Sequence, residues 1–275
     1  MKLSVITVCF NEEKNIAMTI NSVLRQSSTD YEYIVCDGKS MDRTVEIAES
    51  FRRAFEEKGI DYIVKSEKDG GIYYGMNNGI DLASGDYVGF INAGDCLHGT
   101  EAIKTVIDAL ESQENPPDVI YGDATYVERD YYDVRKARAI ETIDKGIPFF
   151  HPSSLVKASL IKEHKFDTTF KICADSDMMA KLYTLGKRFF YVDAVLSDFY
   201  AGGISTVRQK DARKESFVIR DRYGFAYNKR KLEKQTAKSE FMGKIKMKMP
   251  KFLWKIWYKK KKRRNAKELG NERII

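Results

Sequence analysis

The chain has 275 residues, of which 43% are hydrophobic and 32% charged, a balance that excludes wholesale disorder and allows one large or two small domains. Its formal charge of +7 is local: residues 241–267 hold 12 Lys/Arg and no acid, leaving 35 basic against 40 acidic residues elsewhere. No apolar run approaches the ~20 residues of a membrane-spanning helix. Cys9, Cys36, Cys96 and Cys173 form no Cys-x-x-Cys pair and only three His are present. A cysteine zinc site or disulfide framework is therefore not expected, and a reducing cytoplasm is.

The β-branched run Leu3-Ser4-Val5-Ile6-Thr7-Val8 reads as a first strand, because it leads into Asn11-Glu12-Glu13 without a cleavage-site pattern. Asn11 is placed to cap a helix carrying Ile16, Ile20, Val23 and Leu24 at helical spacing. Tyr33 to Cys36 is a second strand. Asp42 opens a second helix with Ile47, Phe51, Ala54 and Phe55 on one stripe, and Gly59 ends it. Ile60 to Val64 is a third strand, Ile72 to Ala83 a third helix, and Tyr87 to Ile91 a fourth strand bounded by Gly85 and Asp95. This alternation predicts a mainly parallel, Rossmann-like α/β sheet with helices on both faces. Beyond it the pattern predicts a helix over 100–112, a strand at Asp118–Tyr121, a polar Tyr-rich stretch to about 140, a helix over Asp175–Leu185, and strands near 189–192 and 195–199. The expected organisation is a catalytic domain over 1–230 and a basic amphipathic tail over 231–275.

Four acids fall at strand ends or a helix start: Asp37, Asp69, Asp95 and Asp175. Side chains at the carboxyl edge of one sheet converge, and that edge is where open α/β sheets place ligands. The chain has neither Gly-x-Gly-x-x-Gly nor a P-loop, so an acidic site of this kind reaches a diphosphate through a divalent cation. Asp42 reads as a helix cap, and the tyrosines between 121 and 132 as amphipathic packing, with ring stacking on a ligand the lesser alternative. Asp175 and Asp177 compete as a base and a cap for the same helix.

Four ordered blocks make the chain recognisable: Ser4-Val5-Ile6-Thr7-Val8-Cys9-Phe10-Asn11-Glu12, Asp37-Gly38-Lys39-Ser40-Met41-Asp42-Arg43-Thr44, Asp69-Gly70-Gly71-Ile72-Tyr73-Tyr74-Gly75-Met76-Asn77-Asn78-Gly79-Ile80, and Asn92-Ala93-Gly94-Asp95. Together they resemble family 2 glycosyltransferases of the GT-A fold, in the branch that builds bacterial surface polysaccharides. The resemblance implies an inverting transfer from a nucleotide-sugar donor, UDP-linked, to a saccharide or lipid-linked acceptor. It places Asp37 at the nucleotide base, with Gly38 where the family has a second acid, and Asp69 near base and ribose. Asn77, Asn92 and His151 join the donor-binding set, Asp95 holds Mn²⁺ or Mg²⁺, and Asp175 is the general base. The rival readings are a nucleotidyltransferase of similar fold and a nucleic-acid-binding protein led by the tail. Against the latter, Phe241, Ile245, Met249, Phe252, Leu253, Ile256 and Trp257 interleave with lysines before the run Lys259 to Arg264, as in an interfacial helix. The expected partner is an anionic membrane surface on the inner face of the cell membrane, with no nucleic acid.

Overall fold

The computed structural model describes residues 1–129, 131–203 and 208–230, with a few positions between 232 and 253. Its contacts divide the chain into two units, Met1–Tyr227 and Asn228–Ile275. Most of the expected tail, including Trp254, Trp257 and the basic run, lies outside the described residues. Among the described residues no helix is long and apolar enough to cross a membrane.

In the first unit β1 (Leu3–Cys9) and β2 (Tyr31–Asp37) are buried along their whole length, with the polar Ser4 and Glu32 bonded to each other at 2.6 Å. With β3 (Tyr62–Ser66) and β4 (Tyr87–Phe90) they form a parallel array in the order β3-β2-β1-β4. The crossovers are α1 (Ile16–Leu24), the pair α2 (Thr44–Ser50) and α3 (Arg52–Glu57), and α4 (Ile72–Leu82). The single helix expected from Asp42 is thus broken at Phe51. α4 lies very close to β1, since a Cβ on Gly79 would come within 2.6 Å of Ile6 Cγ2.

The remaining elements are β5 (Cys96–Leu97), α5 (Ala102–Glu111), β6 (Val119–Glu128), β7 (Tyr131–Arg135), β8 (Ser154–Lys157), α6 (Ala158–His164), α7 (Ala174–Thr184), β9 (Phe189–Tyr200) and α8 (Gln209–Arg222). They continue the sheet as β8-β6-β9-β5, with β7 on β6. β8 is antiparallel to both β4 and β6, whereas β6 and β9 pair in parallel along nine positions. Two expectations change here. The Tyr-rich stretch is a hairpin, because Tyr126, Val127 and their neighbours pair with Tyr131–Arg135. The two short strands near 189–199 are one long strand, kept continuous by a register shift at Asp123 of β6. One core cluster takes α4, α6, α7 and α8 on one face, and another takes α1, α2, α3 and α5 on the opposite face. Helices cover both faces, as expected.

Candidate active site

The carboxyl ends of β1, β2 and β3 lie in register through Cys9, Asp37 and Ser66. Asp37 is only 3% exposed. Its oxygens accept the Ser40 N–H at 2.9 Å, the Ser66 hydroxyl at 2.6 Å and the Ser40 hydroxyl. It therefore shapes the loop after β2 with both oxygens already engaged. Asn11 does not cap α1, which begins at Ile16 with Asn15 as its N-cap. With a φ of 55°, Asn11 instead accepts the Met41 N–H at 2.8 Å and donates its own N–H to Ser40 Oγ at 2.7 Å. Asp42 likewise is not the N-cap, which is Arg43, but accepts the N–H of Thr44, the first residue of α2, at 3.0 Å.

Asp69 accepts the Gly71 N–H at 2.9 Å. A Cβ on Gly38 would stand 3.4 Å from both of its carboxylate oxygens, and one on Gly75 would stand 3.0 Å from Oδ2. Bare backbone at Gly75 makes room for this acid, and Gly38 borders it at ordinary contact distance. Asn77, expected to face the donor, is engaged elsewhere. Its amide bonds both ways to the Phe166 backbone, at 3.0 and 2.9 Å, and so fixes the segment before α7.

β4 ends in the turn Asn92–Asp95, which Gly94 closes with a φ of 99°. Thr19 of α1 holds this turn by accepting the Gly94 N–H at 3.0 Å and donating to the Asp95 carbonyl at 2.8 Å. The Asp95 carboxylate is 8% exposed and accepts the Tyr200 N–H at 2.9 Å. Burial outweighs that bond and pushes its pKa up from 3.8 to about 7. In the same turn the Asn92 Oδ1 is buried without a hydrogen-bond partner among the described residues. Two oxygen donors of this kind suit a hard divalent cation. Among the described residues no group of three or more His, Cys, Asp or Glu is placed to hold one.

The two acids of α7 differ in their partners, and neither caps the helix, whose N-cap is Cys173. Asp177 is 1% exposed and accepts from Arg222 at 2.8 Å and Tyr223 at 3.0 Å, tying α7 to the end of α8. Asp175, partly exposed in the first turn, meets the Tyr73 hydroxyl at 3.3 Å. That hydroxyl also donates to the Ile172 carbonyl at 2.6 Å. Glu215 of α8 accepts the N–H groups of Lys171, Ile172 and Cys173 at 2.8, 2.9 and 2.9 Å, anchoring the segment that leads into α7. His151 stacks on Phe90 at 5.4 Å with its ring edge-on to Phe166 at 5.9 Å. Burial lowers its pKa below 6.5 against the opposing pull of the Asp175 charge, which keeps the imidazole neutral at pH 7. The geometry gathers Asp37 and Asp69 at β1–β3, Asn92 and Asp95 past β4, and His151 with Asp175 across from Phe90. Tyr73, Glu215 and Arg222 were not singled out from the sequence. Tyr73 lies inside a quoted block, but nothing local marks the other two.

The chain spans less than half the length of the first curated relatives it matches and 79% of some others. It is 32% identical over 120 residues to the PGL/p-HBAD biosynthesis glycosyltransferase of Mycobacterium bovis (strain BCG / Pasteur 1173P2), covering 44% of this chain and 45% of that protein. It is 29% identical over 199 residues to the poly(ribitol-phosphate) beta-glucosyltransferase of Bacillus spizizenii, covering 68% and 30%. The crystal structure of S. aureus TarS 1–349 in complex with UDP-GlcNAc superposes with a TM-score of 0.63 at 21% identity, over 76% of this chain and 61% of that one. The mannosyltransferase PcManGT from Pyrobaculum calidifontis, in complex with GDP-Man and Mn²⁺, gives 0.61 at 17% identity, over 83% and 65%. These likenesses establish the GT-A fold. The profile of Glycosyl transferase family 2 matches residues 4–184, well over half of the chain, and the chain belongs to that family.

Proposed function

We propose that the chain is an inverting glycosyltransferase that moves a sugar from a UDP-linked donor to a saccharide or lipid-linked acceptor in surface polysaccharide synthesis. The observation that carries this reading is the division of labour in α7: Asp177 is committed to Arg222 and Tyr223, while Asp175 stands beside Tyr73 and His151 with carboxylate capacity to spare. Displacing a nucleoside diphosphate from an anomeric carbon builds negative charge on the leaving oxygen and positive character on the sugar ring. The attacking hydroxyl must lose its proton on the opposite side, and a carboxylate there acts as general base. Direct displacement with one base inverts the anomeric centre. Asp175 takes this role, and Tyr73 and Glu215 hold it in place.

Asp95 and the unpartnered Asn92 Oδ1 would hold a divalent cation at the diphosphate. Such a cation, when bound, neutralises charge on the leaving group as a Lewis acid. Neutral His151 can offer a hydrogen bond to a phosphate oxygen, and the loop ordered by Asp37, with Asp69, frames the nucleoside. The relatives' names and the TarS complex with UDP-GlcNAc support the substrate class. The basic, aromatic tail supports a place on the inner face of the cell membrane.

The test is a thermal-shift panel of UDP-, GDP- and other nucleotide sugars with and without Mn²⁺, followed by product analysis. A metal-dependent shift with UDP-sugars and release of UDP are expected. Release of pyrophosphate would establish a nucleotidyltransferase instead, and no response to any nucleotide sugar would end the reading.

A further inference from the structure

Beyond β4, on the side away from Asp37 and Asp69, the sheet carries an aromatic wall. β6 and β9 place Tyr126 opposite Phe199 and Val127 opposite Tyr200, while β7 sets Asp133 opposite Tyr126 and Arg135 opposite Ala124. Cross-strand partners and alternate positions share a face, so Tyr126, Phe199, Asp133 and Arg135 stand together. The Tyr126 and Phe199 rings stack at 6.1 Å, and Phe150 closes on them at 6.3 and 4.9 Å. The Arg135 guanidinium lies 5.4 Å over the Tyr126 ring and pairs with Asp133 at 3.2 Å. Two covalent links bind this wall to the reaction centre. Phe150 precedes His151, and Phe199 precedes Tyr200, whose N–H holds Asp95.

Packing alone does not account for this group. All three rings and Arg135 are only half-buried, although large apolar side chains elsewhere in the same sheet are fully covered. Arg135 Nε is sequestered without a hydrogen-bond partner among the described residues. A sugar ring has an apolar face of C–H groups and a rim of hydroxyls. Aromatic faces beside a guanidinium and a carboxylate complement both, the rings by contact and the charged pair by hydrogen bonds. A lipid chain would use the rings and make no use of the polar rim that the Arg135–Asp133 pair gives them.

We propose that Tyr126, Phe150 and Phe199 form the platform on which the acceptor's receiving sugar ring stacks, with Arg135 and Asp133 at its hydroxyls. The receiving group is then a saccharide hydroxyl, whatever carries that saccharide. This assignment rests on the glycosyltransferase reading.

The test uses the full chain with Mn²⁺ and a UDP-sugar, reading UDP release with octyl β-glucoside, octyl β-galactoside, octyl N-acetyl-β-glucosaminide, 1-octanol or no acceptor. At least one glycoside should speed release where octanol does not. Phe199→Leu and Arg135→Gln should each raise the KM for that glycoside tenfold or more. Acceptor-free release and the donor KM should stay within twofold of wild type, which shows that the variants are folded and donor-competent. Octanol matching the glycosides, unchanged glycoside KM values, or donor turnover that no glycoside speeds would each overturn the subsite alone. Absence of UDP release under every condition would remove the glycosyltransferase reading and the subsite with it.

Discussion

Replacing Asp95 with Asn separates what this carboxylate does to stability from what it does in catalysis. Burial raises its pKa from 3.8 to about 7. Between those values the native protein retains a proton that the unfolded chain has released, so stability falls as pH rises through the window and levels off above 7. At ~1.4 kcal/mol per pH unit the loss approaches about 4 kcal/mol. Asn stays neutral throughout, and its oxygen can accept the same Tyr200 N–H. In EDTA, the wild type and Asp95→Asn should melt together near pH 4 and diverge toward pH 8. The variant then becomes the more stable by up to ~8–16 °C, at ~2–4 °C per kcal/mol for a domain of this size. The same substitution should abolish transfer in the presence of Mn²⁺. The assay is a series of thermal melts from pH 4 to 8 paired with UDP release at pH 8. Melting curves that keep a constant separation across that range would refute the buried-acid argument, and a fully active variant would refute the catalytic one.

Asp175→Asn should keep donor affinity while kcat drops by ~10²–10⁴-fold, the usual reach of general-base catalysis. Asp177→Asn should do the reverse, lowering Tm through its lost Arg222 and Tyr223 bonds while kcat stays within a few-fold; exchanged phenotypes would move the base to Asp177. Glu215→Ala frees three backbone N–H groups ahead of α7. It should speed amide hydrogen exchange at 171–173 and cut kcat with little change in donor KM; unaltered exchange would show that the anchor is dispensable. Deleting residues 241–275 should leave an active enzyme that no longer sediments with anionic vesicles, and undiminished sedimentation would place the membrane contact in the first unit.

The first half of the fold was legible because its signals are local. Strands β1 to β4 are short apolar runs between turn residues, and their helices show a 3.6-residue stripe. The break at Phe51 was hidden because Phe51 and Phe55 keep that stripe across it. The second half resisted for the opposite reason. Tyr126 and Phe199 lie on a half-exposed sheet face where aromatic and polar residues mix, and their pairing spans a separation that no local pattern reports. The site divides in the same way. Asp37, Asp69 and Asp95 were singled out from their places at or near strand ends. Glu215 and Arg222 were missed because they act on residues 42 to 55 positions away. Asn77 was misread because a side-chain amide in a recognisable block says nothing of the backbone it will meet, here that of Phe166.

Among the described residues β5 pairs with β9, with Cys96 opposite Asp198, 102 positions later. β4 likewise waits for residues 155–157 of β8 before its outer edge is paired. Loop closure delays such contacts, so the β1–β4 array can form from near neighbours while the rest of the sheet is still unpaired. During that interval β4 presents an open strand edge, the kind of surface on which nascent chains aggregate. Pulse-labelled hydrogen exchange during refolding should protect β1 and β2 before β6 and β9, and simultaneous protection would contradict this order. The Tyr200 N–H reaches Asp95 only when β9 docks. The buried Asp95 carboxylate therefore waits for its hydrogen-bond donor until the sheet is complete on that side.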